Sequence, residues 1–495
     1  MKYVLTAAQM QQCDANTMGK FKMPSAVLME RAALAAVGEI EERFPAPGAR
    51  VLLACGTGNN GGDGLAMARL LFLKGYSVQI LFPGNEEKCS AEAARQLSIV
   101  REYGIPVVKQ YPEGTFDVIV DALFGIGLCR EIGGVYRQMI ERMNGADAWK
   151  LAVDIASGIS ADNGAVMGIA FRADRTATFG FAKIGQLLYP GAAYTGELRV
   201  EDIGIDRYSL CGFQPAVRMP EASDLSLLPP RQDDSNKGTY GKVLIFAGSY
   251  NMAGAAAFSA KAAYRAGAGL VKVATDASNR TIIQNLVPEA VLATWDERTD
   301  MDRFAEEQIA WADAVIIGPG IGRSRRAQEL VKSVLERAKV PCLVDADGLN
   351  ILAEKMDWID TGRENLVLTP HLGEMARLCK MSVAKIKKDL LAVAEVFSSR
   401  YNVVVALKDS RTVTAAPCGR TYINTTGNHG MATGGSGDVL SGVIGALLAR
   451  AVPAEDAAAL GVMLHGMAGD AAAGTVGKTS MTASDIIDGL CAVLR

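Results

Sequence analysis

Apolar residues in this chain gather into short runs separated by longer stretches with helical spacing. In the first 200 residues the runs Val51–Cys55, Ser77–Phe82, Asp117–Asp121, Leu151–Asp154 and Thr176–Gly180 predict strands. Residues 6–18, 25–43 and 65–74 predict helices. Strands alternating with helices imply a parallel sheet covered on both faces. A break follows at residues 205–235, where Cys211-Gly212, Pro215, Pro220 and Pro229-Pro230 lead into the polar run Arg231–Asn236. Such a stretch reads as a linker. The pattern then restarts, with strands predicted at Lys242–Ala247, Leu270–Ala274, Ala314–Ile317, Val340–Val344, Leu366–Leu368 and Val403–Leu407. Helices at Asp438–Ala449 and Ala454–Ala473 close it. The expected organisation is two α/β/α domains, residues 1–212 and 223–495, without a tandem repeat.

Length agrees, since 495 residues exceed one ordinary domain and 49% of them are apolar. The formal net charge of −3 implies no basic face, so nucleic acid is not an expected partner. The N-terminus has only a short apolar stretch before Gln9, and no stretch elsewhere is long and apolar enough to span a bilayer. Nine scattered cysteines with no close CxxC pair suit a reducing compartment. A cytoplasmic protein without membrane attachment is expected. The histidines are His371, His429 and His465, all in the second half. Acid–base chemistry in the first half must therefore use carboxylate, lysine, cysteine, tyrosine or water.

The run Gly56-Thr57-Gly58-Asn59-Asn60-Gly61-Gly62-Asp63-Gly64 joins a predicted strand to a predicted helix. Glycines there let backbone approach a phosphate at a helix N-terminus, or simply make a tight turn. A hydride-transfer domain would carry an acid for the ribose at the end of the next strand. That strand instead ends Phe82-Pro83-Gly84, with acids only at Glu86-Glu87, which disfavours ordinary dehydrogenase chemistry. Two further loops, from Asp121 to Glu131 and from Asp154 to Gly158, leave strand ends with the same polarity. Each aspartate alone could cap its turn. Together with the Asn-Asn pair and Ser157 they offer hard oxygen ligands suited to an alkali or alkaline-earth cation.

These residues resemble the NAD(P)H-hydrate epimerases, through GNNGGDG, DALFGIGL and VDIASG in that order, over about residues 1–210. The resemblance implies a Rossmann-like three-layer α/β/α domain. It implies that Asn59, Asn60, Gly61, Gly62, Asp63, Gly125, Ile126, Gly127, Leu128, Cys129, Arg130, Glu131, Tyr136 and Asp154 hold hydrated NADH or NADPH (NADHX, NADPHX). Asn60, Asp121 and Ser157 would ligate K+. Asp154 would be the acid–base group, with Lys183 assisting. Ala156 and Ile184 stand where the family usually has proline, which bears on turn rigidity.

In the second half, Gly427-Asn428-His429-Gly430-Met431-Ala432-Thr433-Gly434-Gly435-Ser436-Gly437-Asp438 runs straight into an apolar helix. Amides bared by glycine at a helix start form an anion pocket, and a following Asp can take a proton from a substrate hydroxyl as phosphate arrives. The bland alternative is a glycine-rich cap. Val344-Asp345-Ala346-Asp347 places two acids at a strand end, where they could meet magnesium–phosphate or merely form a turn. Thr369-Pro370-His371-Leu372-Gly373-Glu374 places a histidine at the next. Lys408-Asp409-Ser410-Arg411-Thr412 supplies a cation and hydroxyls suited to a nucleotide phosphate.

This set resembles the ADP-dependent NAD(P)H-hydrate dehydratases over roughly 225–495, through KGTYG, MAGAA, GPGIG, VDADGLN, TPHLGE and GNHGMATGGSGDVLSG. The resemblance implies a ribokinase-like α/β/α fold. Ala255, Gly322, His371 and Asp438 would contact the hydrated dinucleotide, with Asp438 catalytic. Lys408, Asp409, Ser410, Arg411, Thr412 and Gly437 would bind ADP with Mg2+. Asn236 and Asp409 replace a histidine and a glycine common in the family, and a carboxylate at 409 should repel phosphates unless it points outward. The whole chain is thus expected to epimerise R and S hydrates and to dehydrate the S form at the expense of ADP, as a homo-oligomer. A ribokinase-like small-molecule kinase with an accessory N-terminal binding domain is the alternative, as is a first domain that binds without turnover.

Overall fold

The computed structural model describes residues 1–494. They form two compact units, one of Tyr3–Val217 and the other of Met1–Lys2 with the residues from Arg218 onward. The junction falls inside the stretch read as a linker, which also carries the short strand Val217–Met219.

In the first unit the strand Arg50–Cys55 shows why the apolar runs are unbroken. Val51, Leu53 and Cys55 pack into one core, while Leu52 and Ala54 pack into another on the opposite face. A strand buried on both faces cannot alternate with polar residues. Seven strands line up in the order Val107–Val108, Ser77–Leu81, Arg50–Cys55, Val118–Ala122, Trp149–Val153, Arg175–Phe179 and Glu197–Glu201. Every pairing is parallel. Strand order reverses between Arg50–Cys55 and Val118–Ala122, so the segments leaving these strands diverge and open a crevice at their carboxyl ends.

The helix predicted from residue 65 begins earlier and spans Asn59–Leu73, so the glycine run is its first turns. Glycine's poor helix propensity hides this start from a sequence reading. Packing overrides propensity here. A Cβ on Gly61 would sit 1.9 Å from the Gly56 carbonyl oxygen, and one on Gly64 2.6 Å from Ala122 Cβ. Glycine therefore lets the helix close directly onto the strand ends.

A short parallel pairing sets Leu5 of strand Lys2–Leu5 in register with Lys183 of strand Ala182–Lys183. The helix Ala7–Gly19 follows, its first turn closed by a reciprocal capping box between Thr6 and Gln9.

In the second unit, parallel strands run in the order Val291–Trp295, Leu270–Asp276, Lys242–Phe246, Ala314–Ile317, Cys342–Val344, Leu366–Leu368 and Val404–Leu407. The antiparallel strands Val413–Ala415 and Thr421–Ile423 extend this sheet. Helix Ser436–Ala449 is almost wholly buried and packs on helix Ala253–Arg265, where Gly442 comes close to the Ser259 carbonyl. The strands absent from the sequence reading are mostly short or polar, namely Lys2–Leu5, Val107–Val108, Ala182–Lys183, Glu197–Glu201, Val217–Met219 and the Val413–Ala415 and Thr421–Ile423 pair, with Val291–Trp295 at the sheet's edge. Among the described residues no helix is long and apolar enough to cross a membrane.

One polar tie crosses the helix–sheet interface of the first unit. Arg175, with its side chain 13% exposed, donates to Glu39 at 2.5 Å, Glu42 at 2.7 Å and Glu197 at 2.8 Å. Arg175→Ala strands the recessed Glu39 carboxylate, and the expected loss is about 3 kcal/mol. A denaturant series on the full chain will show a lowered midpoint for the first unit and an unchanged one for the second.

Candidate active sites

The crevice of the first unit is a cleft of about 540 Å³. Asn59, Asn60, Asp63, residues 125–130, Tyr136 and Asp154 all line it. Gly61, Gly62 and Glu131 do not. Gly61 is pressed against Gly56 and Gly62 against Met29, so they shape the helix start instead, and Glu131 is exposed. The lining also includes Asp14, Met18, Ser25, Glu92 and Phe179, which no sequence motif marked, and Phe124 from the DALFGIGL run. Phe124 and Tyr136 stack edge-on, with ring centroids 4.9 Å apart.

Asp154 follows its strand in a left-handed conformation, φ 65°, with its amide held by the Ala177 carbonyl. That turn aims the carboxylate at Lys183, whose Nζ donates to Asp154 Oδ1 at 2.6 Å and to Thr178 Oγ1 at 2.7 Å. The Lys183 side chain is wholly buried. Asp14 and Asp63 stand near this pair. Burial, then repulsion from Asp154, pushes Asp14 up to about 6 against the pull of Lys183. Burial, then Asp154 and Asp14, holds Asp63 well above the usual carboxylate range.

Beneath the cleft, Asp121 is fully buried. It accepts from the Ser157 hydroxyl at 2.6 Å, the Ser157 amide at 2.7 Å and the Leu123 amide at 3.2 Å. Burial raises it to about 6, opposed by those hydrogen bonds. The Asn60 amide oxygen and nitrogen are both buried without a hydrogen-bond partner. An orphaned amide oxygen, a buried carboxylate and a hydroxyl are the donor set that a monovalent cation takes, so Asn60, Asp121 and Ser157 fit K+. Ala156 and Ile184, at positions where proline was expected, are buried in well-packed surroundings.

The second site gathers at the ends of Cys342–Val344, Leu366–Leu368 and Val404–Leu407. Lys408 Nζ donates to Asp345 Oδ1 at 2.8 Å, and Ser441 Oγ donates to Asp345 Oδ2 at 2.7 Å. Burial works against the Lys408 charge, but Asp345 and then Glu374 outweigh it and raise the group. His371 caps helix Leu372–Cys379 through Nδ1, which accepts from the Gly373 amide at 2.9 Å. Burial, then Lys408, lowers its basicity. The Gly322 amide donates to Asp347 at 3.0 Å, and Ala255 lies against Gly320 of the same turn.

Asp438 sits in the first turn of helix Ser436–Ala449, whose Gly435 cap has φ 89°. Burial, then Asp345, lifts it to about 7, with Lys408 pulling the other way. A Cβ on Gly437 would be 3.4 Å from Lys408 Nζ, so the start of this helix and the lysine are close neighbours. Arg411 is tied to the Thr425 carbonyl at 2.5 Å, Asp409 is half-buried and Ser410 is exposed. Ser441 lies in the GNHGMATGGSGDVLSG run, which assigned it no role, and the buried His465, held down to about 4 by burial, lies outside every motif. Among the described residues no group of three His, Cys, Asp or Glu forms a metal cage.

A family model described as NAD(P)H-hydrate dehydratase matches residues 243–491, and one described as YjeF-related protein N-terminus matches residues 25–185. The bifunctional NAD(P)H-hydrate repair enzyme of Moorella thermoacetica is 40% identical, covering 100% of this chain and 97% of its own. This chain belongs to the bifunctional NAD(P)H-hydrate repair enzyme family. The family member of Thermofilum pendens is 37% identical over 99% of this chain and 96% of its own. A ribokinase-like superfamily protein from Enterococcus faecalis aligns with a TM-score of 0.51 at 29% identity, over 57% of this chain and 96% of its own. That likeness agrees with a ribokinase-like second unit.

Among the described residues Lys183 is the one cation that touches Asp154. Lys183→Met leaves that carboxylate recessed without its partner. The expected cost is about 3 kcal/mol. Asp154→Asn leaves the wholly buried Lys183 ammonium without its counter-charge and should cost at least as much. Comparing the two unfolding midpoints of the first unit checks this order.

Proposed function

We propose that the first domain interconverts the R and S forms of hydrated NADH and NADPH, and that the second dehydrates the S form with ADP, releasing AMP and phosphate. The observation that carries the reading is the pairing of two carboxyl-centred sites in one chain whose relatives match it end to end. Cytoplasmic location and assembly from identical subunits belong to this reading.

In the second site, Asp438 takes the proton of the substrate's C6 hydroxyl as that oxygen attacks the terminal phosphorus of ADP. The helix amides at Gly437 and the Lys408 cation bind the phosphate being passed. The phosphorylated oxygen then leaves C6 with its bonding electrons, C5 gives up a proton, and the dihydronicotinamide is restored. Ala255, Gly322 and His371 hold the dinucleotide in this reading, and Lys408 to Thr412 the nucleotide. ADP remains the assigned donor because Asp409 is not the residue bordering Gly437; Lys408 is.

In the first site, Asp154 moves a proton at the C6 oxygen, and Lys183 orients it. Asn60, Asp121 and Ser157 would hold K+, which when bound supplies positive charge beneath the substrate.

Asp438→Asn is expected to abolish NADH recovery by at least about 100-fold while leaving epimer exchange intact. Asp154→Asn should do the reverse, clearing only the S fraction quickly. An Asp154→Asn enzyme that exchanges epimers at the wild-type rate removes Asp154 from the mechanism. Because Asp438 must be ionised to accept a proton, the dehydratase rate should rise with pH through about 7. A rate that falls across that interval contradicts the base assignment. Replacing potassium by tetramethylammonium should slow epimerisation, and leave dehydration of the S form unchanged. Equal epimerase rates in the two salts contradict the cation site.

A further inference from the structure

The following rests on the epimerase reading of the first domain. Inversion at C6 breaks one C–O bond and makes another. The hydroxyl takes up a proton and leaves as water, while the ring nitrogen lone pair forms an iminium. Water then adds to the opposite ring face and releases a proton. One proton enters, one leaves, and no oxidant or reductant is needed. The departing and arriving oxygens lie on opposite faces of the ring, so one fixed carboxyl reaches only one of them. Asp154 serves one face.

We propose that Asp14 is the second proton-carrying group of the epimerase, giving a proton to the hydroxyl on the ring face that Asp154 does not serve. The two exchange roles when the reaction runs from the other epimer.

Asp14 and Asp154 line the same cleft from different elements, the helix Ala7–Gly19 and the loop after strand Trp149–Val153. The helix is fixed at both ends. Its N-terminus carries the Thr6–Gln9 capping box and follows directly on Leu5, the residue in register with Lys183. Near its C-terminus Thr17 Oγ1 lies 2.7 Å from Ser209 Oγ, and Asn16 donates to the Ser209 carbonyl at 2.8 Å. Asp14 is thus held rigidly, yet its carboxyl makes no hydrogen bond or ion pair with a described residue. It is a partly exposed carboxylate on the wall of the cleft. One kept free in a substrate cleft is available to substrate.

The titratable groups around it are Asp154, Lys183, Asp63 and, on its own helix, the Cys13 thiol, which burial and then Asp14 push up to about 11. Glu92 and Arg130 line the same cleft. The balance of these leaves Asp14 at about 6, where it can both give and take a proton near neutrality. Asp154 differs in being ion-paired with Lys183.

The test uses the full-length protein and R-enriched NADH hydrate without ADP, so that only epimer exchange is read, corrected for the spontaneous rate. Asp14→Asn should lower the epimerase kcat by about 100-fold or more, with KM shifted by less than about threefold. Dehydration of the S form by the same preparation, with ADP added, should be unchanged and reports folding. Asp14→Glu should regain part of the lost kcat. The wild-type pH profile should show an inflection near 6 that Asp14→Asn lacks. An Asn variant with wild-type kcat, a loss confined to KM, or a Glu variant no better than Asn each overturns the proposal. Should the Asn variant lose dehydration as well, the wild-type inflection and the Glu variant decide. Wild-type protein that fails to exchange epimers sinks the underlying reading, an outcome distinct from an active wild type insensitive at position 14.

Discussion

A carboxylate withdrawn from water needs a positive partner, and one lysine in each domain meets that requirement at the site. Lys183 does so for Asp154 at 2.6 Å, and Lys408 for Asp345 at 2.8 Å. Each site holds more carboxyls than its lysine can neutralise. In the first, Asp14 and Asp63 are left over. In the second, Asp438 and Glu374 are left over, and both are lifted to about 7. The surplus acids bind protons far more readily than free carboxylates do. Proton transfer at neutral pH thus follows from a charge imbalance that the fold imposes, without any histidine in the first domain.

The fold supplies that imbalance through glycine. Gly61 and Gly64 let a helix close onto the strand ends of the first sheet, and Gly442 lets the helix that carries Asp438 sink against its neighbour. Side chains in those places would push the helices out and readmit water, and the carboxyls would return to ordinary acidity. The glycine runs therefore act on the chemistry through burial as much as through backbone contact with phosphate.

Much of this was legible along the chain. Central strands were, because burial on both faces leaves an unbroken apolar run. Edge strands such as Glu197–Glu201 were not, because half their surface is polar. The helix start at Asn59 was hidden by glycine's low propensity, which packing overrode. Asn60, Asp121, Asp154 and Ser157 stood out because they share glycine-rich loops at strand ends, where function concentrates. Asp14 did not, since a lone acid on an amphipathic helix looks like any solvated face. His465 lies inside an apolar helix, where spacing alone cannot separate a functional side chain from a packed one.

The two sites in one chain should complete each other, the first feeding the second the epimer it uses. Absorbance of the reduced nicotinamide, followed in a mixture of NADH-hydrate epimers with purified protein, ADP, magnesium and potassium, tests it most directly. The account predicts a single recovery that runs to the full amount of hydrate supplied, with AMP formed in equal measure. A fast phase that halts at the S fraction and then creeps at the spontaneous rate would contradict it, as would recovery without AMP.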